Sequence, residues 1–533
     1  MAQSTSVPTP EMGYNTYNAY ACSPSDAISR QTMDLMISKG FRDVGYKFFQ
    51  VDCGWVAKTD QRDANGALQV DSSSFPNGMQ AISQYAKSKG LDFGLYSDAG
   101  YKMCDTDVPS QRLGSLGHED ADAKLLASFN VTHFKYDNCY ADGASSSQNA
   151  PKNARTDFPT RFTAMKNALD KVGITRLLIC QWGVPYSSSS SGLQGPSVWT
   201  KGISTSYRLS DDIAQGWDNV YRILNQAIPI AQNGQTGPGH WADGDLLEVG
   251  NNGMTLAEQA THFAFWAMVK SPLVVSTDLS KISSDALAIL LNRNLISINQ
   301  DSLGKPVVLV ERRSGDYDLH AGPLANGDVA VLAFDLANVA KTITIRFADL
   351  GIESADVLDL WSGTSQSGVS SYAKSVGAHG SSALRLSNIK YAATSAPSLT
   401  YIEAEAATLA GGATKASCSG CSGGSNVGYV GKGGTLTFTN VRVKSSEAVI
   451  YFDYINADVG FSFVGATNDR TASISVNGAT ATTVSFPLTG YNWDKDVTKR
   501  YKVRLTGFNP NAANTITISN ANNYAPNFDR IGF

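Results

Sequence analysis

The chain has 533 residues, of which 42% are hydrophobic, so it can form about two to four domains with apolar cores. Its net charge of −4, without basic clusters, argues against nucleic acid as a partner, because phosphate binding needs clustered Lys and Arg. No apolar run approaches the roughly 18 residues of a membrane-spanning helix, so we expect no membrane partner either.

Apolar strand patterns in the first part of the chain repeatedly end in clusters of polar and aromatic side chains. After an aromatic and amide cluster at 12–18, they occur at 48–55, 91–100, 131–140, 177–182, 206–213, 240–249 and 273–276. Helical patterns separate them, and this alternation predicts a parallel sheet whose eight units close into a (β/α)8 TIM barrel. Functional groups of a barrel gather at the carboxyl ends of its strands.

After residue 304 the pattern changes to short strands separated by Gly, Asn and Ser, which is typical of antiparallel β-sandwiches. The stretch Ser395-Ala396-Pro397-Ser398 predicts a linker between two such units. We therefore predict a catalytic barrel over 1–304, an antiparallel β-sandwich over 305–397 and a second β-sandwich module over 398–533.

The fourth predicted strand ends in an unusual group of charges, because Lys135 and Asp137 follow a buried apolar pattern. A single strand-end aspartate usually caps a turn or pairs with a neighbouring lysine. Here similar clusters recur at other strand ends, and carboxylates, cations and aromatic rings together suit a sugar site. A metal site at His240 and Asp243 is a weaker alternative, because one histidine without a partner at ligand spacing is poor evidence.

Seven cysteines and only 17% charged residues favour a secreted protein, although the first six residues contain no apolar signal core. Cys180 lies in an apolar run, and we expect a buried, inert thiol there. A glycosylation sequon begins at Asn130. The disulfide pairs that we predict are Cys22 with Cys53, Cys104 with Cys139, and Cys418 with Cys421.

Ordered motifs along the first 397 residues carry a family resemblance. They are 12–22, 51–55, 96–100, the Lys-Tyr-Asp-Asn-Cys run 135–139, 208–217, 241–250 and the Ile-Asn-Gln-Asp-Ser-Leu-Gly run 298–304. Together they resemble glycoside hydrolase family 27, the family of α-galactosidases. The resemblance implies a retaining exo-glycosidase that releases terminal α-D-galactose from an oligo- or polysaccharide through a covalent glycosyl-enzyme, with no cofactor for catalysis.

The resemblance also implies roles for individual residues. Asp137 matches the family's nucleophile, and Asp212 matches its acid/base, because its spacing from Arg208 is that of the family motif. Side chains alternate direction along a strand, so we expect only Asp212, and not Asp211, to reach the scissile bond. The substrate contacts that the resemblance implies are Asp52, Trp55, Tyr96, Lys135, Gln181, Arg208 and Asp243.

Two departures from the family pattern affect the substrate. Many relatives have two adjacent aspartates on strand two, whereas Asp52 is followed here by Cys53, and Gln181 stands where glutamate is common. The family also contains β-L-arabinopyranosidases and isomalto-dextranases, and both activities stay as alternatives. A catalytically inactive carbohydrate-binding protein is an alternative of another class, but the presence of both carboxylates argues against it.

The two ends of the last unit, 401–406 and 527–533, resemble family 35 carbohydrate-binding modules, which are jelly-roll β-sandwiches. The resemblance implies a structural Ca²⁺ ion, with Glu403, Glu405 and Asp529 as matching oxygen ligands. The loop aromatics Tyr491, Trp493 and Tyr524 either stack on a sugar or pack in the core.

Overall fold

The computed structural model describes residues 7–144, 151, 153–188, 192–393, 398–460 and 467–533. The chain forms two compact units, of which the first contains Met1–Val220 and Gly234–Pro306, and the second contains Tyr221–Asn233 and Val307–Phe533. In the described ranges no helix combines the length and the apolar character needed to cross a bilayer. The predicted linker residues 395–397 lie outside the described ranges, so the boundary at 397 stays a prediction.

The first unit is built on an eight-stranded parallel sheet in the order β10-β1-β2-β3-β4-β5-β8-β9, which confirms the predicted barrel fold. A parallel bridge between Leu247 and Val275 connects the two edges of the sheet. A short β6-β7 hairpin follows β5. The strands are β1 (Met12–Asn15), β2 (Phe48–Gln50), β3 (Asp92–Asp98), β4 (His133–Asp137), β5 (Arg176–Ile179), β6 (Tyr186–Ser188), β7 (Gly192–Gln194), β8 (Ser206–Arg208), β9 (Trp241–Asp243) and β10 (Leu273–Val275).

Helices connect the parallel strands, and some of them, including α2 and α8, begin at a capping side chain. The side chain of Ser25 accepts from the N–H of Ile28, and Thr255 forms a capping box with Glu258. The helices are α1 (Tyr17–Tyr20), α2 (Asp26–Ser38), α3 (Gly78–Ser88), α4 (Glu119–Ser128), α5 (Phe158–Val172), α6 (Pro196–Trp199), α7 (Trp217–Gln232), α8 (Leu256–Met268), α9 (Ser284–Leu290) and α10 (Arg293–Asn299).

The first part of the second unit is an antiparallel sandwich of a six-stranded sheet, β11-β12-β13-β18-β15-β16, and a two-stranded sheet, β14-β17. Alternate side chains of the strands, such as Val331, Ala333, Ile343 and Ile345, form its core. The strands are β11 (Val308–Arg313), β12 (Tyr317–Pro323), β13 (Val329–Asp335), β14 (Lys341–Arg346), β15 (Ile352–Asp359), β16 (Ser365–Val369), β17 (Ser371–Val376) and β18 (Ser381–Tyr391).

The last part of the chain forms a second antiparallel sandwich, with one sheet β21-β22-β29-β24-β27 and a facing sheet β20-β23-β28-β25-β26. Its first and last strands pair, since Glu403 lies opposite Arg530. The strands are β19 (Tyr401–Glu403), β20 (Thr408–Ala410), β21 (Thr414–Ser417), β22 (Ser425–Gly428), β23 (Thr435–Val441), β24 (Glu447–Ile455), β25 (Asp469–Val476), β26 (Thr482–Pro487), β27 (Thr498–Thr506), β28 (Asn514–Ser519) and β29 (Asn527–Gly532).

Polar contacts join the two sandwiches within the second unit. The guanidinium of Arg504 in β27 lies 2.7 Å from Glu311 in β11 and 2.8 Å from Asp349. The N–H of Ser485 donates to the hydroxyl of Ser314 at 2.8 Å. Removing the last sandwich would therefore leave Glu311, whose side chain is 2% exposed, without one of its cations.

All three predicted disulfides are present, with Cα–Cα distances of 4.8 Å, 5.2 Å and 5.3 Å for Cys22–Cys53, Cys104–Cys139 and Cys418–Cys421. Cys180 is a buried free thiol, as predicted. The Cys22–Cys53 bridge depends on the glycine that follows it. Gly54 has φ +98°, and a Cβ atom there would lie 2.4 Å from the carbonyl oxygen of Cys22, so only glycine fits.

Candidate functional site

A pocket lies at the carboxyl ends of the barrel strands. It brings together six of the predicted residues from four strand ends, namely Asp52, Tyr96, Lys135, Asp137, Arg208 and Asp212. Tyr17, Asn18, Cys104, Ile213, Asp245 and Leu246 complete its lining. The arrangement follows from the parallel sheet, because every strand delivers its last residues to the same face.

Asp137 is the last residue of β4, and three hydrogen bonds fix its carboxylate. The hydroxyl of Tyr96 donates to Oδ2 at 2.9 Å, and Nε1 of Trp182 donates to Oδ1 at 3.0 Å. The backbone N–H of Asn138 also donates to Oδ1, at 2.9 Å. Donors aimed at a carboxylate favour its charged form, so these contacts orient Asp137 and support its negative charge.

Lys135 provides the nearest positive charge, since it lies two residues earlier on the same strand face. Its Nζ is 2.9 Å from Oδ2 of Asp52 and 5.2 Å from the ring centre of Tyr96. Burial disfavours the ammonium form, but the surrounding negative groups, with Asp52 first and Asp137 and Asp245 beside it, together outweigh that effect and hold the pKa of Lys135 well above its usual value. Lys135 is thus a fixed cation beside Asp137.

The ionisation of Asp137 predicts the acidic limb of the pH profile. Burial raises the pKa of Asp137 to about 6, while the charge of Lys135 acts to lower it. Because a nucleophile must be ionised, we expect kcat/KM to fall as the pH drops below about 6. Lys135→Met removes the opposing charge, so its acidic limb should move to higher pH. Profiles of kcat/KM measured on both proteins test this, and a shift to lower pH would contradict it.

Asp212 lies in the loop after β8 and is open to the pocket, with its side chain 58% exposed. Its Oδ1 is 3.1 Å from Nη2 of Arg208. Asp211 is buried, accepts from the hydroxyl of Ser210 at 3.1 Å and does not line the pocket. The side chains of Asp211 and Asp212 do point apart, as predicted. Because β8 ends at Arg208, the conformation of the loop separates them, and not the alternation of side chains along a strand.

Three predicted substrate contacts lie outside the pocket lining. Trp55 is fully buried, and its Nε1 donates to the carbonyl of Tyr96 at 2.8 Å, so it supports the pocket wall from behind. Gln181 is also fully buried. Asp243 lines a different cavity, together with Lys135 and Asp245, and burial raises its pKa to about 7. None of these three residues lines the pocket that contains Asp137 and Asp212, and their contact with substrate stays a prediction.

Asp245, two residues after Asp243, lines the pocket. Its Oδ2 is 2.8 Å from Nη2 of Arg208 and accepts from the N–H of Ile213 at 2.8 Å. Asp243 and Asp245 stand two residues apart at the end of β9, so the sequence pattern indicated both residues but not which of them lines the pocket. Tyr17 belongs to the aromatic cluster noted at 12–18, which the sequence analysis did not assign to the site.

His240 has a structural environment, as predicted. Its Nε2 lies 2.9 Å from the hydroxyl of Thr200, and its ring packs 4.5 Å from that of Tyr207. Burial lowers its pKa to about 4, so the ring is neutral at physiological pH. His240 is not one of the residues that line the pocket.

The three carboxylates predicted to bind calcium are partly buried in the last sandwich. Oε2 of Glu403, Oε2 of Glu405 and Oδ1 of Asp529 are buried without a hydrogen-bond partner among the described residues. Burial raises the pKa of Asp529 to about 6. Buried oxygens without donors suit a cation, although these three do not meet within 4.8 Å, roughly the diameter of a Ca²⁺ oxygen shell.

The described residues bring three potential metal ligands within 4.8 Å at one place, formed by Asp98, Cys104 and Cys139. The two sulfurs form a disulfide there. Oδ2 of Asp98 accepts from the N–H groups of Cys104 and Cys139 at 3.2 Å and 3.0 Å. This group therefore fixes the pocket wall and is not a metal site.

The aromatic residues predicted to contact sugar in the last sandwich have different environments. Tyr524 is 37% exposed and packs edge-on against Tyr429, which is 60% exposed, at 5.5 Å between ring centres. Nζ of Lys432 lies 5.0 Å from the ring centre of Tyr524. Trp493 is instead covered by the guanidinium of Arg470 at 4.6 Å, and Tyr491 is partly buried.

Comparison with known proteins places these features in context. Residues 9–301 match the family model described as Alpha galactosidase A, and residues 314–386 match the model described as Alpha galactosidase C-terminal beta sandwich domain. Probable alpha-galactosidase D of Aspergillus niger is 37% identical over 388 residues, which are 71% of this chain and 56% of that protein. Alpha-galactosidase 2 of Arabidopsis thaliana is 36% identical over 66% of this chain and 83% of its own length.

Two solved structures show the same architecture. Alpha-galactosidase I from Mortierella vinacea has a TM-score of 0.65 and 30% identity, and the match covers 74% of this chain and all of that one. The Saccharomyces cerevisiae alpha-galactosidase solved with raffinose has a TM-score of 0.61 and 26% identity over 72% of this chain and 98% of that one. The chain spans a little over half the length of the Aspergillus relative.

Proposed function

The chain belongs to the alpha galactosidase A family, glycoside hydrolase family 27, and from this premise we propose that it is a retaining exo-glycosidase that releases terminal α-D-galactose. The observation that carries the proposal is one pocket in which Asp137 and Asp212 stand with the cations Lys135 and Arg208. Two carboxylates in one pocket supply the nucleophile and the acid/base that retaining hydrolysis requires.

In the first step, ionised Asp137 attacks the anomeric carbon while the proton of Asp212 passes to the departing glycosidic oxygen. The bond between the anomeric carbon and that oxygen breaks, and a glycosyl ester to Asp137 forms. The hydrogen bonds from Tyr96 and Trp182 hold the carboxylate in place for this attack. The exposure of Asp212 gives it access to the leaving group.

In the second step, Asp212 takes a proton from water, and the water oxygen attacks the anomeric carbon of the ester. The ester bond to Asp137 breaks, so the carboxylate is restored and galactose leaves with its configuration retained. Lys135 stays beside Asp137 throughout and stabilises the carboxylate that is released. No cofactor is needed for either step.

Hydrolysis of p-nitrophenyl α-D-galactoside, followed by proton NMR of the first sugar formed, tests the proposal. We expect α-galactose to appear before mutarotation produces the β-anomer. Release of β-galactose would contradict the retaining mechanism. p-Nitrophenyl β-L-arabinopyranoside and isomaltotriose, assayed in parallel, test the two alternative activities, and no turnover of any of the three would favour an inactive carbohydrate-binding protein.

We further propose that the last sandwich binds carbohydrate through the exposed pair Tyr429 and Tyr524. Aromatic faces stack on sugar C–H groups, and Lys432 adds a hydrogen-bond donor beside them. Each ring contributes about 0.5–1.5 kcal/mol, so Tyr429→Ala with Tyr524→Ala should weaken galactan binding roughly tenfold or more. Affinity electrophoresis measures this, and Tyr391→Ala, which removes another exposed tyrosine, is the control. Unchanged binding in the double variant would refute the proposal.

A second proposal for this sandwich is a structural Ca²⁺ ion held by Glu403, Glu405 and Asp529, whose unpartnered oxygens support it. A bound ion would neutralise carboxylates that burial destabilises. Millimolar Ca²⁺ should therefore raise the unfolding temperature and EDTA should lower it, by an amount that grows with ion concentration. In Glu405→Gln the rise of the unfolding temperature with Ca²⁺ should be smaller than in the wild-type protein. An equal rise in both proteins would show that these residues do not bind the ion.

We also propose an extracellular enzyme whose partner is an oligo- or polysaccharide. The three disulfides support this, because such bonds persist in oxidising compartments.

A further inference from the structure

Arg208 divides its charge between two carboxylates in the pocket. Its Nη2 lies 3.1 Å from Oδ1 of Asp212 and 2.8 Å from Oδ2 of Asp245. The guanidinium is buried, with its side chain 2% exposed, so water does little to screen its charge. The shorter contact is the one to Asp245, which therefore takes the larger share of the guanidinium charge.

Asp245 also holds the backbone beside Asp212. The same Oδ2 atom accepts from the N–H of Ile213, the next residue, at 2.8 Å. One carboxylate oxygen thus contacts the groups on both sides of Asp212, the guanidinium of Arg208 and the N–H of Ile213. Asp212 itself is open to the pocket, so its direction depends on these flanking contacts.

The surrounding structure keeps Asp245 in a backbone conformation that is costly for residues other than glycine, with φ +82°. Its N–H donates to Oδ1 of Asp243 at 2.8 Å, and its carbonyl accepts from Nε1 of Trp266 at 2.9 Å. Further along the same loop, the N–H of Glu248 donates to Nε2 of His262 at 3.1 Å. Trp266 and His262 lie on one face of α8, so this helix sets the loop that carries Asp245.

A general acid must carry a proton when substrate is bound, and a cation beside it works against that requirement. Arg208 alone would favour the ionised form of Asp212. Asp245 pairs with the same guanidinium and offsets its charge, and its contact with the N–H of Ile213 holds the backbone beside Asp212. Asp243, two residues earlier, does not line this pocket and contacts the backbone of Asp245 instead.

We propose that Asp245 is a positioning residue for the general acid Asp212, acting through Arg208 and the N–H of Ile213. This inference rests on the proposed function. The charged and titratable groups that face Asp212 come from several elements, and each of them affects the pH dependence of activity. They are Tyr17 from α1, Asp137 from β4, Cys180 after β5, Arg208 from β8 and Asp245 after β9.

Asp245→Asn tests the proposal, because asparagine keeps the shape and tolerates a positive φ but lacks the charge. Poor leaving groups need protonation by the general acid and good ones do not, so the loss of kcat/KM in Asp245→Asn should depend on the leaving group. We expect kcat/KM to fall about a hundredfold for raffinose and no more than about threefold for 2,4-dinitrophenyl α-D-galactoside. The basic limb of the pH profile for raffinose should also move to lower pH.

Asp211→Asn is the matched control, because it removes the neighbouring buried carboxylate that does not line the pocket. It should change the ratio between the two substrates by less than about threefold. Trp266→Phe is the second variant, since it removes the donor to the carbonyl of Asp245 while it keeps an aromatic ring at this buried position, and it should reproduce the leaving-group pattern more weakly. Unfolding temperatures of all variants verify that they are folded.

An equal loss on both substrates, or an unmoved basic limb, would overturn the proposal and leave Asp245 a purely structural role. Wild-type protein that hydrolyses neither galactoside would instead refute the proposed function. The two failures are therefore distinguishable in the same experiment.

Discussion

Asp137→Ala is expected to lower kcat/KM for galactosides by about 10⁴-fold or more, because no covalent intermediate can form without the carboxylate. Asp212→Ala should lose about 10²- to 10⁴-fold on raffinose and less on aryl galactosides, since only the proton transfer is lost. Both side chains lie at strand ends or in loops and not in the barrel core, so both variants should stay folded. Steady-state kinetics and unfolding temperatures measure the two effects.

Azide separates the two roles by the anomer that it forms. In Asp137→Ala azide replaces the nucleophile and should give β-galactosyl azide. In Asp212→Ala it attacks the glycosyl ester from the opposite face, without needing a base, and should give α-galactosyl azide. Asp211→Ala, the control, should keep most of the wild-type activity. If Asp211→Ala were the inactive variant, or if both azide products had the same configuration, the assignment would be wrong.

The barrel could be predicted because each parallel strand is an apolar run that ends in polar residues, and the structure places those ends together. The strongest case is β4, in which Lys135 and Asp137 share a face by simple alternation. The two ends of the last sandwich pair with Glu403 opposite Arg530, a register that local sequence did not predict.

Residues beyond the strand ends were harder to predict, because no periodicity applies to loops. β9 ends at Asp243, and the positive φ of Asp245 redirects the chain so that the later aspartate, and not the earlier one, lines the pocket. Trp55 resembles a sugar-stacking residue in sequence, but it is buried against Phe129. Such a side chain can be assigned only when its tertiary neighbours are known.

Contacts within the second unit also could not be predicted from the local sequence pattern. Arg312 and Asp318 form a fully buried ion pair at 2.6 Å, and Nη2 of Arg312 also donates to Asn225 at 2.8 Å. Asn225 lies 87 positions earlier in the chain, so no spacing rule relates it to Arg312. A buried pair of this kind is costly to break, because either partner alone would be an uncompensated charge.

Asp52, the strand-two residue predicted to contact the sugar, has little hydrogen-bonding capacity left. Its Oδ2 accepts from Nζ of Lys135 at 2.9 Å and from Nδ2 of Asn15 at 2.7 Å, and its Oδ1 accepts from the N–H of Cys53 at 3.0 Å. A carboxylate offers about four acceptor sites, so Asp52 can hold one sugar hydroxyl and not two. Cys53 is in its disulfide and supplies no second carboxylate.

Galactose and L-arabinopyranose share the hydroxyls on C2 to C4 and differ only in the exocyclic carbon, so one hydroxyl contact discriminates weakly between them. We expect the protein to cleave both p-nitrophenyl glycosides, with a galactoside preference below about a thousandfold, or about 4 kcal/mol. Asp52→Asn should cost about 1.5–3 kcal/mol on both glycosides equally, because the hydroxyl that Asp52 contacts is one the two sugars share. Values of kcat/KM for both substrates and both proteins measure this. A loss confined to the galactoside would mean that Asp52 contacts O6. A galactoside preference of the wild-type protein above about a thousandfold would mean that another residue contacts O6.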